Sequence, residues 1–327
     1  MLRATVLILL AAAPLLRASA TVTSLTPQAR NVQELAARLA DEDPAKRAAA
    51  ACALRKEGDL AADAIPQLVA LLGDPSPVDR RACEQRWWRG GADDLTSPGE
   101  QAAAALVAIG TRAFPPLMQA LSATVWIARR NAAWALGALD DPKAGPALQN
   151  ALNDREPGVR QQAAWALGAI DSREGVAALI GAMKDADARV REQAAWALGA
   201  IDDRRATPAL IAALKDAEPP VRRQAAWALG AIDDSDAVPA LIDTLRDSDD
   251  RTRTQAAWAL GAIDDSRAVD GLIRALSDTH KGVREQAAWA LGAIGDSRAL
   301  PGLLPVLKDP DASVRRQAAW AIGVIGR

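Results

Sequence analysis

The sequence predicts an all-α fold, a right-handed α-solenoid of stacked antiparallel helix pairs with a 31-residue period. Three observations predict it. The phrase QAAWALGAI occurs five times unchanged, with its Trp at 165, 196, 227, 258 and 289, and looser copies carry Trp134 and Trp320 at the same 31-residue step. A fixed period of that size is the mark of a repeat solenoid. Each unit holds two stretches of helical pattern joined by an Asp-rich turn, and no segment alternates with period two, so no strands are expected.

The elements follow in order. Residues 1–20 read as a secretory signal: Arg3 gives a positive start, Val6 to Leu16 an apolar stretch, and Ala18-Ser19-Ala20 a small-residue cleavage site. The stretch is too short to span a bilayer, which takes about 20 apolar residues. The mature chain is expected to be periplasmic or secreted, with no membrane insertion after cleavage. Residues 21–30 form a polar linker, and Val32 to Ala40 an amphipathic helix that caps the stack. Residues 31–124 hold irregular repeats. Pro44 to Lys56 and Ile65 to Leu72 make a first pair around Gly58, and Gln101 to Ile109 with Pro116 to Leu121 a second.

Between those pairs the spacing breaks. An inserted loop at about 75–98 carries Arg86-Trp87-Trp88-Arg89 and then Gly90-Gly91, which reads as a surface loop with a two-Trp tip. From 125 to 327 the repeat is regular. A first helix such as Val221 to Ile232 is followed by the turn Asp233-Asp234-Ser235 and a second helix such as Val238 to Arg246. Pro146, Pro208, Pro239 and Pro301 fall at the starts of second helices, where a missing N–H costs little. The last first helix has no partner within the chain, so that end is expected to be frayed, covered, or a surface for self-association.

Composition limits function. The formal charge is −2, and falls to −4 once Arg3 and Arg17 are removed with the signal. Such a balance lacks the basic footprint of a nucleic-acid binder. Cys52 and Cys83 are 31 residues apart, which puts them in neighbouring repeats. An oxidising compartment would allow a bridge, but the spacing alone leaves the bond open. His280 stands alone and neither Cys has a His partner, so no catalytic residue, metal site or cofactor is expected.

A unit reading V-R-x-Q-A-A-x-A-L-G-A-I-D-D and then P-A-L-I-x-A-L-K-D resembles the HEAT-like repeat family, in particular the type named after phycobilisome lyases. The resemblance covers about 31–327, loosely before 125 and closely after. It implies the solenoid and leaves function wide, because the family includes bilin lyases and isomerases, an iron-dependent hydroxylase, a DNA glycosylase relative and many adaptors. The His-Glu pairs of the hydroxylase relatives are absent here.

A helical wheel assigns the repeated positions. Val221, Ala225, Ala228, Leu229 and Ile232 form one stripe, while Trp227 falls near the opposite pole with Arg223, Gln224 and Ala231 around it. Two readings of the Trp follow: an indole packed across the small residues of the adjacent repeat, or an exposed ladder. Copying alone does not explain the repetition, since Val176-Ala177-Ala178-Leu179 and Val238-Pro239-Ala240-Leu241 differ while QAAWALGAI between them stays fixed. Gln162, Gln193, Gln224, Gln255 and Gln286 lie three residues before each Trp and share its face.

The candidate binding residues are therefore these Gln, with Trp134, Trp165, Trp196, Trp227, Trp258 and Trp289, and Trp87 and Trp88 of the insert. The expected function is a non-catalytic scaffold that binds a protein or extended peptide on the Gln/Trp face. A lyase- or isomerase-like maturation factor acting on a chromophore or partner protein is the alternative. A second ladder reads as structural: Asp154/Arg160, Asp185/Arg191, Asp216/Arg222 and their successors, each Asp set before the helix that carries its Arg.

Overall fold

The computed structural model describes residues 26–79, 83 and 95–326. The signal read at 1–20 and the Trp87-Trp88 tip lie outside the described residues. Thr26 opens α1 (Pro27–Arg38), its hydroxyl accepting from the Ala29 N–H. The helix thus begins inside the stretch expected as linker, because a Thr-Pro pair is itself a start signal. It buries Val32, Leu35 and Ala36, while Gln28 and Asn31 donate to Glu57 of α2 (Pro44–Glu57). Gly58, at φ +58°, ends α2, and a tight turn leads to α3 (Ile65–Leu71).

The fold is all-α as expected, and the insert departs only from the expectation of no strands. β1 (Val78–Asp79) pairs antiparallel with β2 (Leu95–Thr96), Val78 opposite Thr96 and Asp79 opposite Leu95. Two residues per strand are too few for an alternating pattern to show in sequence. This ladder closes the base of the insert, and a Cys52–Cys83 disulfide ties the insert to α2. Ser97 and Glu100 then form a reciprocal capping box at the start of α4 (Pro98–Ile109). Ser97-Pro98-Gly99, read as the end of a loop, is the start of a helix. α5 (Phe114–Ala120) completes the pair.

Six regular pairs follow among the described residues. They are α6 (Trp126–Ala138) with α7 (Gly145–Ala151), α8 (Pro157–Ala169) with α9 (Val176–Ala182), and α10 (Ala188–Ile201) with α11 (Thr207–Ala213). Next come α12 (Pro219–Ile232) with α13 (Val238–Thr244), α14 (Asp250–Ile263) with α15 (Val269–Ala275), and α16 (Lys281–Ile294) with α17 (Leu300–Val306); α18 (Ala312–Ile325) follows alone. The acidic turns divide their labour. The first Asp of each, at 140, 171, 202, 233 and 264, takes the left-handed conformation that Gly295 adopts in the corresponding place. The second, as at Asp203, Asp234, Asp265 and Asp296, accepts from the N–H two residues on and starts the next turn.

The long helices stack side by side along their length, whereas the short ones chiefly touch their own partners. The closely spaced layer is therefore the inner, concave one. Glycine permits the spacing: a Cβ on Gly199 would stand 2.7 Å from Ala228 Cα and 2.8 Å from Trp227 Cζ3, and Gly137, Gly168, Gly230, Gly261 and Gly292 repeat that contact. The core stripe is as expected, with Val221, Ala225, Ala228, Leu229 and Ile232 all at 2 % exposure or less.

Candidate functional site

The inner face is built from the side of the long helices that points away from the short ones. Trp134, Trp165, Trp196, Trp227, Trp258 and Trp289 are half-buried against the core. From Trp165 onward, Cζ3 of each ring sits over the glycine of the preceding repeat. The indole is thus a wedge between repeats that keeps part of its surface on the groove, so both readings of the Trp hold in part. Trp320, on α18, is 44 % exposed.

The Gln ladder behaves differently. Gln162, Gln193, Gln224, Gln255 and Gln286 are half-buried, and none of their amides is hydrogen-bonded among the described residues. Their counterparts in the earlier repeats are buried and bonded: Asn131 donates to the Leu72 carbonyl at 2.9 Å and Gln101 to Thr96 Oγ1 at 2.9 Å. The same chain position therefore fastens α4 and α6 and leaves donors and acceptors open from α8 onward. Where the two regions meet, a recess of about 460 Å³ is lined by Glu100, Gln101, Arg130, Trp134, Gln161 and Gln162, among others. The structure brings Trp134 and Gln162 together there; the remaining Trp and Gln continue along the same face.

The Asp/Arg ladder is real but pairs differently from its sequence reading. Arg160 does not bridge to the Asp154 carboxylate before it. Its Nε and Nη2 donate to Asp185, at the end of its partner helix α9, at 2.6 and 2.8 Å, and its Nη1 donates to the backbone carbonyl of Asp154, which ends the preceding pair, at 2.8 Å. Arg191 with Asp216, Arg222 with Asp247, Arg253 with Asp278 and Arg284 with Asp309 repeat this arrangement. Arg129 with Asp154 and Arg47 with Asp74 extend it toward the N-terminus; the constant 25-residue spacing would have revealed the first, while the second is 27 residues apart. One guanidinium thus closes its own helix pair by a bidentate bond and ties it to the end of the preceding pair.

These bonds set the ionisation of the ladder. The Arg129 guanidinium beside Asp154, and the Arg191 guanidinium beside Asp216, hold those carboxyls below the ordinary carboxylate range against the opposing effect of burial. A second set of clamps, missed in sequence, lies at the turns. Arg205, Arg267 and Arg298 each pair with the Asp two residues earlier and donate to the carbonyl of Arg173, Ser235 or Ser266 in the preceding unit. The Arg205 contact lowers Asp203 to about 2. His280 lies 3.5 Å from Asp250. Among the described residues no three His, Cys, Asp or Glu converge as metal ligands would.

A family model for HEAT repeats matches residues 99–157, 145–218, 207–282 and 245–323. This chain is a HEAT-repeat protein. A search of curated proteins finds no match to it. Among solved structures, the HEAT-repeat chain is similar to Escherichia coli YibA, with 24% identity over 80% of this chain and 92% of that one and a TM-score of 0.58. A structure of Kap95p with RanGDP matches at 16% identity over 90% of this chain and 47% of that one, with a TM-score of 0.66. The complex of CpcE and CpcF of phycocyanin lyase from Nostoc matches at 27% identity over 65% of this chain and 93% of that one, with a TM-score of 0.45. The first two likenesses are of fold alone.

Proposed function

We propose that this HEAT-repeat protein is a non-catalytic scaffold that holds an extended polypeptide along its concave Trp-and-Gln face. The carrying observation is the row of unbonded amides at Gln162, Gln193, Gln224, Gln255 and Gln286, each set beside a half-exposed indole. A primary amide offers both donor and acceptor to a peptide backbone, and an aromatic wall supplies apolar contact at small entropic cost. The repeat of the face matches a ligand whose own backbone groups repeat.

The scaffold is proposed to act outside the cytoplasm. The Cys52–Cys83 disulfide supports this, since such bonds persist in oxidising compartments, as does the reading of residues 1–20. On that view the exported chain begins at Thr21, which amino-terminal sequencing checks.

The test selects peptides from a displayed random library on the purified chain, then measures affinity for the triple variant Gln193→Ala, Gln224→Ala and Gln255→Ala. The proposal expects at least a tenfold loss of affinity with an unchanged melting temperature, because these amides make no internal bond. Unchanged affinity in the triple variant would place the ligand elsewhere and overturn the reading.

A further inference from the structure

One position on the inner helices is not held constant by the repeat. It lies four residues before each Trp and reads Arg130, Gln161, Glu192, Arg223, Thr254, Glu285 and Arg316. The order is basic, neutral, acidic, then the same again, then basic, so the charge recurs every three repeats. Four residues before the Trp is one helical turn, which puts the position on the groove face beside the indole. Arg130 and Gln161 accordingly line the recess with Trp134.

The neighbouring residues do not share this period. The positions three and four residues earlier run Ile127, Gly158, Arg189, Pro220, Arg251, Gly282, Ser313 and Trp126, Pro157, Ala188, Pro219, Asp250, Lys281, Ala312. Copying of a three-repeat block would have carried those along. The residue immediately before is always Arg, and from Arg129 to Arg284 it is bonded to the Asp that ends its own helix pair.

Bonding separates the two Arg positions. Gln161, Glu192, Arg223 and Arg316 make no side-chain hydrogen bond or ion pair among the described residues. Glu192 and Arg223 occupy equivalent places on adjacent helices with opposite charge and still do not pair. Elsewhere along the row, Arg130 reaches Glu100 at 3.1 Å and lies over Trp126, Thr254 donates to its own helix, and Glu285 accepts from Ser313 at 2.8 Å. The unpaired groups are half-buried or exposed on the groove.

We propose that this row is a charge register that selects, among extended polypeptides, those carrying acidic residues opposite Arg130, Arg223 and Arg316 and basic residues opposite Glu192 and Glu285. The inference rests on the scaffold reading and adds the chemistry of the partner. Adjacent helices lie roughly 8–10 Å apart, so three repeats span roughly 24–30 Å. An extended chain rising about 3.3 Å per residue covers that with roughly eight residues. Like charges in the partner therefore recur about every eight residues, with the opposite charge between them. A uniformly anionic polymer does not fit, because Glu192 and Glu285 oppose it.

The experiment uses the full chain with its disulfide intact and labelled synthetic peptides, made in both chain directions. One set carries the complementary spacing, and a second set of identical composition has acidic and basic residues exchanged. Fluorescence anisotropy reads affinity at low salt, where pairs between partly exposed charges are least screened. The matched set should bind at least tenfold tighter than the exchanged set. The double variant Glu192→Arg with Arg223→Glu should narrow or invert that preference. Arg223→Gln, which removes charge with little change of bulk, should weaken it if the swapped variant folds poorly. Equal binding of both sets, lost in the Gln193, Gln224 and Gln255 triple variant, overturns the register and leaves the scaffold. Binding of neither set overturns both.

Discussion

Gly230 sits where two repeats come closest, and a methyl there would stand 2.7 Å from Cζ3 of Trp258 and 2.8 Å from Ala259 Cα. Backbone cannot yield as a flexible side chain can, so the two long helices must part. Gly230→Ala should therefore destabilise the fold by about 2 kcal/mol, in the range of core overpacking, even though Ala is the better helix former. A melt against the wild type reads this, and an unchanged or raised melting temperature would contradict the packing. The Trp rests on the same contact. Truncating Trp227 removes both a wedge and a piece of groove wall, which is why the Gln variants are the cleaner probe of binding.

At the scale of the element, each rung joins two helix pairs through one guanidinium. Arg222 and Asp247 are about 90 % buried, with side-chain exposures of 11 % and 10 %. Arg222→Ala leaves that carboxylate without its partner and should cost about 3 kcal/mol, with Arg222→Lys recovering only part because the bidentate geometry is lost. The rungs also give stability a pH dependence. Arg129 and Arg191 hold Asp154 and Asp216 below the ordinary carboxylate value. The unfolded chain then binds protons more readily than the folded one. The contribution is complete above the unfolded value of about 3.9 and is lost as pH falls through the lower folded values. Melting temperature should be flat from neutrality to about pH 5 and fall steeply below about pH 4, more gently in Arg222→Ala. Those consequences follow from charges legible in sequence, but the pairing was legible only to within one repeat.

From α6 onward the molecule is a row of units whose strongest contacts are with their neighbours, so local defects there stay local. The Cys52–Cys83 bond lies in the irregular end, where the insert interrupts the stack. A bridge across 31 residues is worth about 4 kcal/mol by loop closure. Reduction, or Cys52→Ser with Cys83→Ser, should speed amide exchange in α1 to α4 and leave α10 to α16 unchanged. Loss of protection along the entire stack would show instead that the repeats unfold as one unit. The insert itself was legible as a break in spacing. The ladder at its base was not, since two-residue strands carry no pattern.

The sequence alone determined the period, the two helices of each unit, the buried stripe from Val221 to Ile232 and the side of the helix that carries Trp227. These are relations within one unit, and helical geometry fixes them. What only the tertiary structure decided are relations between units. Arg160 looks as well placed for Asp154 as for Asp185, because in a periodic chain the preceding and following neighbours carry the same residues. Trp227 likewise could have lain over the repeat before it or the one after, and the structure seats it on Gly199. The Gln amides are settled by the same step: Gln101 and Asn131 find partners in the irregular repeats, and Gln193 and Gln224 do not. Periodicity hides the choice of neighbour, and the choice of neighbour decides which side chains are left for a ligand.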